Sequence, residues 1–184
     1  MLDLWIRQII KEEIKTFKYT KVVETVFNRF QKQLGIPKDF LKSIKIYTTK
    51  NMPISYKTEI DKKFKTIPPA LCIPKDNSII LNLDSLTTAN NSLLKGIGHE
   101  IGHLVDINLG TQITGDRSFS ESISFSFDKT FLKNAKNFKE PIKRDIPEKE
   151  EIAEIFQKIA VNEKLTIKEE KFVNEVKKLI RKNS

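Results

Sequence analysis

The chain's two histidines stand four positions apart, in His99-Glu100-Ile101-Gly102-His103, and this pentapeptide constrains the fold more than any other feature. On a helix, residues i and i+4 lie one above the other on one face, so the two imidazoles sit one turn apart. That spacing suits two ligands of a zinc ion. The glutamate beside the first histidine then points toward the open coordination position, where it can take a proton from water. The flanks are those of a buried helix. Leu93, Leu94, Ile97, Ile101, Leu104, Val105 and Ile107 recur at helical spacing, Asn90 or Asn91 is placed to cap the start, and Gly110 to mark the end. Gly96, Gly98 and Gly102 leave room for close packing. The expectation is one Zn2+ per chain, with His99 and His103 as ligands and Glu100 as general base.

A catalytic zinc takes a third protein ligand, and no histidine remains to supply it. Cys72, the only cysteine, excludes a disulfide framework and a multi-cysteine zinc site; in its apolar, proline-rich stretch it reads as a small core residue. Leu109, six positions beyond His103, excludes the pattern HExxHxxGxxH. The third ligand is therefore expected to be a downstream acid, and two segments compete. Glu121 lies 18 positions after His103, in a Glu-x-x-Ser pattern that resembles thermolysin-like enzymes, where a glutamate on the next helix completes the site. Glu150 and Glu154 lie one turn apart on one helix face, so that one carboxylate can bind metal while the other orients a ligand. Spacing alone leaves the two segments level.

The rest of the chain reads as an α+β fold. Residues 1–34 have helical periodicity, closed by Gly35 and Pro37. Ile44–Tyr47 alternates like a strand, Lys57–Lys75 with its three prolines reads as a loop with short extended pieces, and Ser78–Leu83 reads as a half-buried strand. Helices are expected over 119–134 and 148–162. Thr166 with Glu169 makes a capping box for a last helix bearing Phe172, Val173, Val176, Leu179 and Ile180. With 184 residues and 39% hydrophobic side chains, a single domain over 1–184 is expected: a helical part over 1–40, the sheet and metal helix over 41–110, and a helical part over 111–184. The net charge of +9 could attract anionic polymers, but lysine outnumbers arginine and no basic motif is interleaved with aromatics. A solvated lysine-rich surface is expected, and nucleic acid is not an expected partner. No apolar run approaches the ~20 residues of a membrane span. Asp3, Glu12 and Glu13 argue against a signal peptide at the start.

HEIGHLVD, followed after a spacer by EEIAEIF and a final amphipathic helix, resembles the anthrax lethal factor-like metallopeptidases. That family includes the lethal factor catalytic domain and secreted Pro-Pro endopeptidases of Gram-positive bacteria. The resemblance runs from about Ile44 to the C-terminus and is clearest at 91–108 and 148–156. It implies a zincin-like fold and a zinc endopeptidase acting on peptide or protein substrates. By analogy it also implies secretion of a mature form, with a cytoplasmic location left open. It further implies Glu150 as third zinc ligand, Glu154 as the acid supporting the site, and Asp106 as a carboxylate orienting His103 or His99. A substrate strand is expected along Ser78–Leu83, near the Pro68-Pro69 loop. There is one departure: Lys143, followed by Arg144, stands where the family carries a tyrosine that contacts the oxyanion. Either residue could supply the positive charge instead. The alternative implied by this departure is a zinc-binding homologue with weak or lost activity that serves as a binding module.

Overall fold

The computed structural model describes residues 20–85, 90–123 and 146–183. In chain order, helix α1 covers 20–34, α2 Lys38–Ser43, strand β1 Lys45–Thr48, helix α3 Ile54–Lys63 and strand β2 Ala70–Ile73. A 3-10 turn at Pro74–Asp76 leads into β3, Ser78–Leu81. Helix α4 spans Asn90–Leu104 and passes through a π-helical turn, Val105–Leu109, into α5, Gly110–Thr114. Helix α6 is Phe119–Ser122, α7 Ile146–Ala160 and α8 Ile167–Lys182. The arrangement is α+β: a small mixed sheet among helices, as expected. Among the described residues no helix is long and apolar enough to cross a membrane.

The sheet has the order β1-β3-β2, with β3 parallel to β1 and antiparallel to β2. All four residues of β3 are buried, because a central strand covered on both faces has no solvent side. This corrects two expectations for Ser78–Leu83: it is not half-buried along its strand, and it is not an edge on which a substrate strand could pair. The outer strand on the metal-helix side is β2, and the Pro68-Pro69 segment leads into it. A second correction is α3, a helix that starts within the segment before Lys57 and occupies much of what was read as loop. It begins directly after Pro53 and buries Tyr56 and Ile60 against Tyr47, Leu71, Ile73 and Ile80, closing the far face of the sheet.

On the near face, Ala70, Ile79 and Leu81 join the main core with α1, α2, α4, α6, α7 and α8. Helices α4 and α7 run antiparallel along a seam of small residues. A Cβ added at Gly98 would lie 2.3 Å from the Ala160 Cβ, and one added at Gly102 would lie 2.7 Å from the Phe156 Cβ and 3.1 Å from the Ala153 Cα. The glycines are thus required for the close approach of the helices. Gly98→Val is expected to cost about 1–3 kcal/mol through overpacking. An unchanged urea midpoint would show that the seam can open without penalty.

Gly110 does not end the helical run that begins with α4. It sits inside the helical run, where a Cβ would come within 2.5 Å of the Phe119 amide nitrogen, and its smallness lets α6 cross. The run ends instead at Gly115, whose φ of +97° suits a residue without a Cβ. Helix α6 is also shorter than the 119–134 expectation: the backbone turns extended at Ile123, and the remainder of that range lies outside the described residues. The capping box on α8 is formed, with Thr166 Oγ1 accepting from the Glu169 amide and Glu169 accepting from the Thr166 amide at 2.7 Å.

Glu169 also meets Lys158 of α7 at 2.7 Å, joining the last two helices. Burial opposes its charge, but the Lys158 ammonium and the Thr166 amide outweigh this and hold its pKa below the ordinary 4.5. A carboxylate depressed in the folded state stabilises above its unfolded pKa and loses that contribution as pH falls through the folded value. Wild-type stability should therefore fall below about pH 4.5 more steeply than that of Glu169→Gln. Parallel pH profiles of the two melting temperatures would rule this out.

Candidate metal centre

Helix α4 carries His99 and His103 on one face, their ring centroids 4.8 Å apart. Helix α7, held by the glycine seam, brings Glu150 over both. Its Oε2 lies 3.1 Å from His99 Nε2 and its Oε1 3.4 Å from His103 Nε2. The ligand atoms of all three residues fall within 4.8 Å of one another. Four tetrahedral donors about 2.05 Å from a zinc ion stand about 3.3 Å from each other; the two histidine–glutamate separations are near that value, so the three residues could together hold one metal ion. Two imidazoles and one carboxylate are also a donor set that catalytic zinc uses while keeping a position open.

The electrostatics favour a cation here. Burial pushes the His103 pKa down, but the Glu150 carboxylate, with Glu100 and Asp106 nearby, outweighs that and raises it. Burial likewise opposes charge on Glu150, yet the two imidazoles bring its pKa down to about 2. Carboxylates that favour positive charge on a buried imidazole would also favour a bound cation.

Around this triad the other expected residues take separate places. Asp106, fully buried in the π-helical turn, accepts from the Ser120 amide at 2.7 Å and the Ser120 hydroxyl at 2.9 Å. Its charge is felt at His103, while these bonds to Ser120 tie α6 beneath the metal helix. Glu154 is half-buried one turn along α7 from Glu150. Burial raises its pKa, and His99 and Lys158 oppose the rise. Glu121 is not at the triad. It is exposed, caps α6 by accepting from the Ser118 amide at 3.0 Å, and lies 4.0 Å from Lys149. The structure thus separates two acids that sequence spacing left level. Lys143 and Arg144 lie outside the described residues. Tyr47 and Tyr56 meet edge to face on the α3 side of the sheet, away from α4.

Cys72 of β2, expected as a small core residue, is partly buried against the main core, and burial pushes its thiol pKa well above the ordinary value. The signal available was strand alternation: Ala70 and Cys72, two small residues at i and i+2, face one side together. Their partner helix could not be read from the sequence. The β2–β3 hairpin is in turn anchored to the metal helix. Asn108, in the π-helical turn, donates to the Pro74 carbonyl at 2.8 Å and to Asn77 Oδ1 at 2.9 Å. Asn77 takes the left-handed conformation that the turn needs, with φ of +46°.

No family model, curated protein or solved structure matches the chain. The geometry of these residues and the local motifs carry the functional argument.

Proposed function

We propose that the protein is a zinc-dependent endopeptidase with a zincin-like domain, in which His99, His103 and Glu150 hold the metal. The observation that carries this reading is the convergence of an HExxH pair and a carboxylate from a second helix, their ligand atoms within 4.8 Å of one another. The resemblance of HEIGHLVD and EEIAEIF to the lethal factor-like metallopeptidases supports it. When bound, the zinc ion would lower the pKa of water and polarise a scissile carbonyl.

The chain's own residues would do the rest. Glu100 stands between the histidines in sequence, on the helix that carries both. From there it takes the proton of the attacking water and later gives it to the leaving amine nitrogen. Glu154, beside His99, supports the ligand set. Asp106 adds negative charge behind His103, with Ser120 fixing its orientation. A substrate peptide would run along the outer strand β2 by main-chain hydrogen bonds. Lys143 or Arg144 would meet the developing oxyanion.

The second reading is a zinc-binding module without turnover, favoured by Lys143 at the position of the family tyrosine. One experiment separates the two: the zinc-loaded protein is incubated with a diverse peptide library and the products are identified by mass spectrometry. Cuts that vanish on chelation and return with zinc support the peptidase. A protein holding one zinc per chain that cuts nothing supports the module.

A further inference from the structure

We propose that the face formed by α1 and α8 is a docking surface for an acidic segment of a partner protein, separate from the candidate metal centre.

A groove of about 390 Å3 lies between these helices at the far end of α7. Ile159, in its floor, stands nine residues beyond Glu150, about 14 Å along the helix at 1.5 Å per residue. Leu34, Ile159 and Val173 are buried, so what the groove offers an occupant is its rim. There Lys32 and Gln33 of α1 meet Asn174 and Lys177 of α8. A second depression, of about 470 Å3, shares Asn174 and Lys177 and continues along α8 past Lys171, Lys178 and Arg181.

Charge decides the occupant. Against five basic side chains the two depressions hold two acids, Glu170 and Glu175, and Glu175 is already paired with Lys178 at 2.6 Å. Arg181, in the last turn of α8, opposes the helix dipole. Lys32, Lys171 and Lys177 have neither role, and among the described residues none of them has an acidic partner. Three unmatched cations bordering one hollow are complementary to carboxylates.

The uncharged groups suit a peptide. Gln33 donates to Asn162 at 2.9 Å and keeps its carbonyl oxygen as an acceptor, while Asn174 offers both a donor and an acceptor to a main chain. Ile167, 76% exposed, precedes Glu170 and Lys171 by three and four positions and so shares their helix face. The face is therefore apolar at one end and cationic at the other, which matches a segment with a large apolar side chain followed by acids. Neither depression has an aromatic side chain on which a nucleic-acid base could stack. The chain's own segments outside the described residues do not complement it either: 1–19 has four basic and three acidic residues, and 124–145 has six and three.

The probe is a fluorescently labelled peptide of two leucines followed by four glutamates, and fluorescence anisotropy follows its binding to the full-length protein. Binding should weaken as salt is added. Lys32→Glu/Lys177→Glu should lower affinity at least about tenfold, and Lys32→Gln/Lys177→Gln should fall between that variant and wild type. Ile167→Ser should cost about threefold. Lys62→Glu/Lys63→Glu makes the same change in net charge on α3, across the sheet, and should stay within about twofold of wild type. Equal losses in the two reversal variants would reduce the effect to general charge attraction and overturn the site, as would a peptide that does not bind. A single-stranded oligonucleotide of equal charge that binds more tightly, and is released by Lys32→Glu/Lys177→Glu, would make this a nucleic-acid surface instead. No readout involves zinc or peptide cleavage, so the outcome is independent of the peptidase reading.

Discussion

Replacing Glu100 by glutamine should lower kcat/KM by about a hundredfold to ten-thousandfold while the zinc content stays at one per chain. That is the usual range for removing a general acid–base group from the transition state. Glutamine has the same shape and still accepts a hydrogen bond through its carbonyl oxygen, so the packing of β2 on α4 is preserved. What it lacks is an oxygen that can take a proton from water. The loss should fall on kcat, with KM little changed, because Glu100 acts where charge and protons move and not where the peptide is held. Zinc analysis and steady-state kinetics on the same preparation check both halves. A Glu100→Gln enzyme with near-normal turnover would remove Glu100 from the mechanism.

The second large effect is on the metal itself. Glu150→Ala should weaken zinc binding by more than the roughly 10–100-fold typical of losing a residue that merely supports a ligand. It removes one of three donors and leaves two imidazoles with no anion between them. Glu121→Ala makes the discriminating comparison. Glu121 caps a four-residue helix and faces solvent, so its loss should leave zinc affinity within about twofold of wild type, since it touches neither a ligand nor a ligand's support. Competition against a chromogenic chelator measures both variants. Equal affinities for Glu150→Ala and wild type would mean that the 3.1 Å and 3.4 Å contacts to the histidines are an ion pair and not a ligand set.

Helix α4 was legible because its evidence is local: a pair of histidines at i and i+4 on an apolar periodicity. Its end was not. Gly110 has the composition of a helix stop, and only the crossing of Ser118–Phe119 shows that its missing Cβ serves a tertiary contact. Helix α3 was hidden for a related reason. It covers a small satellite cluster, so only Tyr56 and Ile60 are buried, and two apolar positions set among lysines make too short a stripe to register as helical. The choice between Glu121 and Glu150 lay beyond spacing, because each sits on a helix with polar neighbours. The helix that meets α4 is selected by fit: Gly98 and Gly102 on one side, Ala153 and Ala160 on the other. Matching small residues between segments is a signal that the sequence contained. The central position of β3 could be read only in part, since a short apolar run is compatible with an edge strand or a buried one.

The glycine seam has a thermodynamic consequence. In a zinc finger the metal gathers its ligands from an unfolded chain, and the ordering entropy is drawn from the binding energy. Here α4 and α7 meet through a seam of glycine and alanine that includes none of the three proposed ligands, so on the zinc reading the helices that carry them are joined independently of the ion. Metal binding is then a local capture event. Chelation should leave the far-ultraviolet circular dichroism intact and lower only the melting temperature, by the linkage term RT ln(1 + [Zn]/Kd), about 2.7 kcal/mol at a hundredfold excess over Kd. On that reading the apoprotein would keep its fold, and the rate of zinc uptake would be a property of access and not of folding.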